Sequence, residues 1–250
     1  MSESPPAEKP SAGRVAGMWA KEIAIVVIGA LVASTLLRLF IAQMFVIPSG
    51  SMENTLLIRD RVMVQKVAGW SRGDVVVFRD TQGWLADPEE ETDPVRKALI
   101  FIGLAPDESS NHLIKRVIGL PGDHVKCCDS QGRITVNGQP LDEGSYLYSE
   151  GGQTVEPSTM PFDVVVPKDR IWVMGDHRNN SQDSRCHLNE GNGGSGAFVP
   201  TANVVGSAVA IVFPFDRWRI LSRPDTFTHV PEPTAPPPDR PVITGAVPVC

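Results

Sequence analysis

The stretch Leu113-Ile114-Lys115-Arg116-Val117-Ile118-Gly119-Leu120-Pro121-Gly122-Asp123 places two cations at the centre of an apolar segment that ends in a turn. Such a segment, bounded by Pro-Gly-Asp, predicts a short β-strand. Since successive side chains of a strand point to opposite faces, we expect one of Lys115 and Arg116 to face inward while the other reaches water. Burial would lower the pKa of the lysine towards neutrality, where it could act as a general base. The alternative is an ordinary lysine on an edge strand.

Several other short runs rich in β-branched residues predict further strands on both sides of this stretch. Asn137-Gly138, directly after one of them, indicates a hairpin turn. No long amphipathic helix is indicated after residue 50, so the expected fold class is mainly β. The runs are residues 74–78, 133–136, 162–166, 171–174 and 204–212.

The N-terminal part predicts a membrane anchor over residues 21–44. Residues 23–37 carry no charge, and the apolar run resumes after Arg38. A bilayer core of about 30 Å needs roughly 20 helical residues. A cleaved signal peptide would have a shorter apolar region, and a buried core helix would have one apolar stripe rather than an apolar surface all round.

Orientation follows from the basic residues Lys9, Arg14 and Lys21 that precede the apolar run. Positive charge stays in the cytoplasm, so we expect a cytoplasmic N-terminus, one crossing and a translocated remainder. The net charge of −6 argues against nucleic-acid binding, and four Cys in 250 residues do not make a disulfide scaffold.

The expected organisation has five parts, besides the anchor, that differ in composition. These are a disordered tail (1–20), an extracytoplasmic β domain (45–222), an acidic loop insertion within it (81–112), a smaller β subdomain (about 124–165) and a Pro-rich disordered tail (223–250).

Two polar motifs accompany the lysine segment. Pro48-Ser49-Gly50-Ser51-Met52 follows the apolar run, where the glycine lets the backbone turn sharply and present a side chain; a helix cap or a linker is the alternative. Gly175-Asp176-His177-Arg178-Asn179-Asn180-Ser181-Gln182-Asp183-Ser184-Arg185 follows a strongly apolar strand and is dense in hydrogen-bonding groups. Taken alone, its composition favours a polar surface loop.

Together the three blocks resemble the bacterial type I (leader) signal peptidases, membrane-anchored serine endopeptidases with a Ser–Lys dyad. The blocks occur in the family's order within about residues 23–215, with Pro48–Met52 and Lys115–Asp123 unchanged. In the third block, His177 stands where the family usually has Asn, and Asn179 where it usually has Asp. The resemblance implies an antiparallel β catalytic domain of signal-peptidase type with a smaller β insertion.

The resemblance also implies roles for individual residues. Ser51 would be the nucleophile and Lys115 the general base, a variant of triad chemistry. The Ser51 N–H and the Ser49 hydroxyl would bind the oxyanion, and Ser181 would orient the lysine amine. Asp183 and Arg185 would form an ion pair supported by Asp176. The matching substrate-pocket positions are Phe45, Ile47, Pro48, Met52, Leu56, Leu113 and Ile114.

The implied reaction is removal of signal peptides from translocated preproteins after a small-x-small (Ala-x-Ala-like) motif, at the bacterial cell membrane. The implied partners are these preproteins, the lipid bilayer and the secretion translocon. The chemistry needs no metal or organic cofactor, and no nucleic acid is expected to bind. The substrate would bind as an added strand with its small side chains in shallow pockets.

Alternative interpretations remain open at the level of sequence. A self-cleaving repressor-type peptidase shares a Ser–Lys β core but would need a DNA-binding helix-turn-helix. A non-catalytic anchored peptide-binding protein would be expected to lack Ser51 or Lys115.

His177 beside Asp176 suggests a Ser-His-Asp arrangement, but the Ser–Lys match explains more residues, so His177 is interpreted as a loop residue. A disulfide such as Cys128–Cys186 is permitted outside the membrane, without any pairing being singled out.

Overall fold

The computed structural model describes residues 12–85, 92–97, 111–189, 193–245 and 250. One long helix, α1 (Ala12–Phe40), precedes a region of short strands. The strands are β1 (Ala42–Val46), β2 (Arg61–Gln65), β3 (Val75–Arg79), β4 (His112–Gly119), β5 (His124–Cys127), β6 (Ile134–Val136), β7 (Gln139–Pro140), β8 (Ser149–Glu150), β9 (Gln153–Thr154), β10 (Phe162–Val165), β11 (Arg170–Met174), β12 (Val199–Pro200), β13 (Val204–Phe213), β14 (Arg219–Ile220) and β15 (Val242–Ile243).

The segment Gly17–Phe40 of α1 is long and apolar enough to cross a membrane, and it is not buried against the rest of the chain. The helix begins earlier than the predicted anchor because residues 12–20 contain good helix formers such as Ala and Met. It also ends earlier, because residues 42–46 pair with β2 instead of continuing the helix. Residues 1–11 of the predicted tail lie outside the described residues.

The larger sheet has the order β1-β2-β13-β3-β4-β11-β12, with β14 paired to β13. Every described pairing is antiparallel, so the mainly β, antiparallel fold class is confirmed. The predicted lysine strand is β4, which lies inside the sheet between β3 and β11. Lys115 pairs with Val76 of β3, and the next residue, Arg116, pairs with Met174 of β11.

A second sheet has the order β15-β10-β5-β6-β7. Four of these strands come from the segment in which the smaller β subdomain was predicted. Asn137 and Gly138, with φ values of 52° and 81°, form the turn between β6 and β7, as the hairpin prediction requires.

The C-terminal segment differs from the prediction of a disordered tail over 223–250. Its β15 pairs with β10, and Phe227 and Val230 are buried in the core that the second sheet shares with the larger one. Proline removes backbone donors, but it does not prevent the apolar side chains between the prolines from packing. Phe227 fills the space above Gly73, where a Cβ would come within 2.5 Å of its ring. Residues 246–249 lie outside the described residues.

The acidic loop insertion predicted over 81–112 is described only in part. Residues 86–91 and 98–110 lie outside the described residues, and β4 already begins at His112. The cysteines pair as Cys127–Cys128 and Cys186–Cys250, rather than in the Cys128–Cys186 pairing that we considered. Sequence spacing alone could not distinguish these pairings, because the Cys250 bond depends on how the C-terminal segment packs.

Candidate active site

Ser51 and Lys115 meet directly. The Lys115 Nζ atom lies 2.7 Å from the Ser51 Oγ atom, in hydrogen-bonding geometry. Ser51 lies in the single helical turn Gly50–Met52, and Lys115 lies on the interior strand β4. Their residues are only 7% and 3% exposed, so the contact is largely shielded from bulk water. The arrangement places a hydroxyl and an amine where a proton could pass between them.

The environment of Lys115 favours the neutral amine. Burial lowers the pKa of Lys115 from 10.5 to about 8, against the opposing effect of the Asp183 and Asp176 carboxylates; the Arg185 guanidinium lowers it further. Removing an ammonium from water disfavours its charged form. Lys115 therefore loses its proton at mildly alkaline pH, far below the ordinary value for a lysine.

Neither Lys115 nor Arg116 reaches water, whereas strand alternation led us to expect that one of them would. Arg116 is 2% exposed, and its guanidinium binds both oxygens of Asp176, at 2.8 Å (Nε to Oδ1) and 2.6 Å (Nη2 to Oδ2). Thr55 donates to the same carboxylate, and the Tyr146 ring lies 4.3 Å from the guanidinium carbon. Because both faces of β4 are covered, a cationic side chain on either face must be paired or its neutral form is favoured. The sequence patterns did not predict that Arg116, Thr55 and Tyr146 would form this buried cluster with Asp176.

Asp183 and Arg185 form a buried ion pair in the polar loop, with the guanidinium bonding both carboxylate oxygens at 2.8 Å. Burial raises the pKa of Asp183, but Arg185 and the Gly175 N–H outweigh it, so the pKa is lowered overall. Arg185 also donates to the Arg178 carbonyl, which ties the loop together. Asp176, assigned by the resemblance to support this pair, binds Arg116 and Thr55 instead.

Ser181 does not bond the Lys115 amine in this structure. Its Oγ atom is buried without a hydrogen bond of normal geometry, although it is near enough to Asp183 to help lower that carboxyl's pKa. Ser181 packs over Gly175, where an added Cβ would lie 2.6 Å from the Ser181 Cβ. The structure therefore brings Ser181 to the site without the lysine contact that the resemblance implies.

The predicted pocket residues are brought together in part. Ile47, Met52, Leu56 and Ile114 belong to one buried cluster against which Phe45 packs, beneath the turn that carries Ser51. Leu113 packs against a different cluster, because neighbouring residues of β4 face opposite sides of the sheet. Pro48 and Ser49 are exposed. Ser49 is the N-cap residue of the Gly50–Met52 turn, but its side chain makes no capping hydrogen bond.

The sequence did not reveal two further side-chain pairs near the site. His177, interpreted as a loop residue, has its Nδ1 atom 2.7 Å from Glu53 Oε2. Arg178 and Glu143 form a pair in which both side chains are buried. The members of the His177–Glu53 pair are 124 positions apart, and no local pattern identifies such a pair.

Residues 19–213 match the family model described as signal peptidase, peptidase S26. The chain therefore belongs to the signal peptidase family of S26 peptidases and is a hydrolase that removes signal peptides. It is 37% identical over 224 residues to signal peptidase I of Mycobacterium tuberculosis (strain CDC 1551 / Oshkosh), covering 80% of this chain and 75% of the relative. The probable signal peptidase I of Mycobacterium leprae (strain TN) is 35% identical (80% and 78% covered), and signal peptidase I of Leptolyngbya laminosa is 33% identical (76% and 78% covered).

Proposed function

We propose that this peptidase cuts signal peptides from translocated preproteins by a Ser51–Lys115 dyad. The observation that carries the proposal is the buried 2.7 Å contact between the two side chains, together with the lowered pKa of Lys115. A serine hydroxyl is a poor nucleophile until a base takes its proton, and a neutral lysine amine is such a base.

The reaction proceeds through an acyl-enzyme. Lys115 Nζ accepts the Ser51 hydroxyl proton as Oγ bonds to the scissile carbonyl carbon, which gives a tetrahedral oxyanion. Collapse breaks the C–N bond, and the Lys115 ammonium returns the proton to the departing amine. The neutral Lys115 amine then takes a proton from water as the water oxygen bonds to the carbonyl carbon of the Ser51 ester. Collapse breaks the bond between that carbon and Ser51 Oγ, the Lys115 ammonium returns the proton to Oγ, and the signal peptide leaves with a new C-terminal carboxyl group.

The oxyanion is bound by the Ser51 N–H and the Ser49 hydroxyl. Ser51 lies within the Gly50–Met52 turn, and Ser49 is the exposed residue immediately before it. Loss of one oxyanion donor costs about 2.7–4 kcal/mol of activation free energy in a well-studied serine protease. Ser49→Ala is therefore expected to lower kcat far more than KM.

Selection of small side chains is supported by the apolar cluster beneath the nucleophile. Ile47, Met52, Leu56 and Ile114 are buried in it, and the partly buried Phe45 packs against it. Little apolar area is therefore open beside Ser51, which suits alanine-sized side chains in a small-x-small motif. An extended preprotein segment would supply these side chains while its backbone aligns with a strand.

A lipid bilayer is the partner that best fits the outer face of the β1–β2–β13–β14 region. Met44 pairs with Met63, which is followed across the sheet by Ala210 and Ile220, so these residues share one face. Met44, Met63 and Ile220 are exposed, and β1 leaves directly from the end of the apolar helix. We propose that the N-terminus is cytoplasmic, and that the β domain rests on the outer leaflet, where the translocon delivers preproteins.

The test is cleavage of a preprotein with an Ala-x-Ala site by purified Ser51→Ala and Lys115→Ala variants in detergent. Both are expected to lose at least about 1,000-fold in kcat while keeping the wild-type circular dichroism spectrum. Lys126→Ala and Ser149→Ala, which alter an exposed lysine and an exposed serine, are the matched controls. Near wild-type cleavage by either dyad variant would contradict the proposal.

A further inference from the structure

The His177–Glu53 pair lies beside the nucleophile and is not explained by the dyad. Because a carboxylate only accepts hydrogen bonds, the imidazole Nδ1 atom must carry the proton that it shares with Glu53. Both side chains are partly buried, so the contact is partly protected from competition by water. The pair joins the polar loop to the segment just after Ser51.

His177 holds the Ser51 turn through its backbone as well. The His177 N–H donates to the Ser51 carbonyl at 3.1 Å, while its side chain binds Glu53, the residue that ends the Gly50–Met52 turn. The Glu53 carboxylate also folds over Gly50, where an added Cβ would lie 2.9 Å from it. One residue of the polar loop is therefore attached at two points to the turn that carries the nucleophile.

The imidazole is itself held in place. Its ring stacks on Tyr148, with 3.8 Å between the ring centroids. The Tyr148 N–H donates to the carbonyl of Asp176, whose carboxylate binds Arg116 next to Lys115. The same small group of contacts thus reaches both sides of the Ser51–Lys115 pair.

We propose that Glu53 and His177 form a positioning pair that keeps Ser51 at bonding distance from Lys115 during the reaction. The proposal rests on the proposed role of Ser51 as nucleophile. The pair acts through the backbone of the Gly50–Met52 turn and does not itself exchange protons with the substrate. Since a displacement of about 1 Å at a reacting group can cost about 100-fold in rate, a loosened turn should lower kcat and leave KM nearly unchanged.

The experiment compares Glu53→Ala, Glu53→Gln, His177→Phe and the double variant Glu53→Ala/His177→Phe in steady-state cleavage of an Ala-x-Ala preprotein. His177→Phe keeps a ring that can stack on Tyr148 and removes only the bond to Glu53. We expect kcat to fall about tenfold in both single variants that break the bond, with KM within about twofold. The double variant should be no slower than either single variant, because both changes remove one interaction. Glu53→Gln keeps an acceptor for the Nδ1 proton and should stay within about threefold of wild type.

Matched controls come from a second His–carboxylate pair, His124 and Asp163, which lies on the second sheet. His124→Phe and Asp163→Ala should leave kcat unchanged. An unchanged kcat in folded Glu53→Ala and His177→Phe would overturn the positioning role, as would losses that multiply in the double variant. Cleavage by Ser51→Ala would contradict the proposed Ser51–Lys115 dyad, and this result is independent of the Glu53 and His177 variants. If Glu53→Ala does not fold, the other two variants still test the proposal. A tenfold loss of kcat in His177→Phe with near wild-type kcat in Glu53→Gln supports it, and an unchanged kcat in His177→Phe contradicts it.

Discussion

Gly175 lies against the backbone of the nucleophile: a Cβ added to it would come 2.5 Å from the Ser51 carbonyl oxygen. That oxygen also accepts the His177 N–H, so two residues of the polar loop lie against it. The polar loop and the Ser51 turn are consequently in backbone contact, without a side chain between them.

Gly175→Ala is expected to lower kcat by about 100-fold or more, because the new methyl group must displace the Ser51 backbone or Ser181. Preprotein cleavage by the purified variant is the measurement. Gly69→Ala is the control, since a Cβ at Gly69 meets nothing within 4 Å. Equal activity of the two glycine variants would show that the Ser51 turn can shift without harm.

The cleavage rate should depend on the protonation of Lys115. With its pKa lowered by burial to about 8, kcat/KM should rise tenfold per pH unit below that value and level off above it. A pH profile of kcat/KM with substrate well below KM measures this midpoint. A flat profile from pH 6 to pH 9 would contradict the assignment of Lys115 as the base.

The buried lysine should also destabilise the folded protein. Its pKa is about 8 in the folded protein and 10.5 as the ordinary value, so the unfolded chain binds more protons between these limits. The cost is fully present below pH 8, and it disappears as the pH rises towards 10.5. Lys115→Met should therefore be inactive but more stable at pH 7 by about 3 kcal/mol, a gain that shrinks at alkaline pH. Urea unfolding at pH 7 and pH 10 tests both parts; an equal gain at the two pH values would contradict the linkage.

The Arg178–Glu143 pair should contribute strongly to the fold. Both side chains are buried, so Glu143→Ala would leave an unpaired guanidinium and cost about 3–5 kcal/mol in unfolding free energy. Lys126→Ala, which breaks an exposed pair with Asp163, should cost less than about 1 kcal/mol. Urea unfolding of both variants gives the comparison, and similar losses would show that burial of the first pair has no special effect.

Phe227 tests whether the C-terminal segment belongs to the folded domain. It is 4% exposed, so Phe227→Ala should cost about 3–5 kcal/mol. Phe215, which is 81% exposed, serves as the control, and Phe215→Ala should leave unfolding unchanged. A wild-type melting temperature in Phe227→Ala would mean that the segment adds nothing to stability.

Local sequence patterns were sufficient for features that depend on near neighbours. The strands around Val76, Ile134 and Trp172, the Asn137-Gly138 turn and the apolar helix all follow from residue type and periodicity. The family resemblance selected Ser51 and Lys115, which neither composition nor spacing could have linked. These parts of the sequence carry their structural information locally or in recognisable motifs.

Other features depend on which distant segments meet. One of the two cations, Lys115 or Arg116, was expected to reach water, because a strand pattern does not reveal that both faces of β4 are covered. Phe227 and Val230 looked disordered because proline content indicates a lack of regular structure, and this is a different property from a lack of packing. The His177–Glu53 contact depends on the close approach of two loops, and the sequence of neither loop predicts it.

The alternation of side chains along β4 separates two neighbouring cations into different chemical states. Arg116 points to a face where Asp176 binds it directly, and it remains a permanent cation. Lys115 points to the opposite face, where carboxylates act only from a distance, and its pKa falls. Two adjacent residues on opposite faces of β4 thus differ in charge behaviour: Arg116 is permanently protonated, whereas Lys115 can lose its proton. A carboxylate introduced on the Lys115 face, in contact with the amine, would raise the pKa of Lys115. The lysine would then stay protonated and could not act as the general base, even in a correctly folded protein.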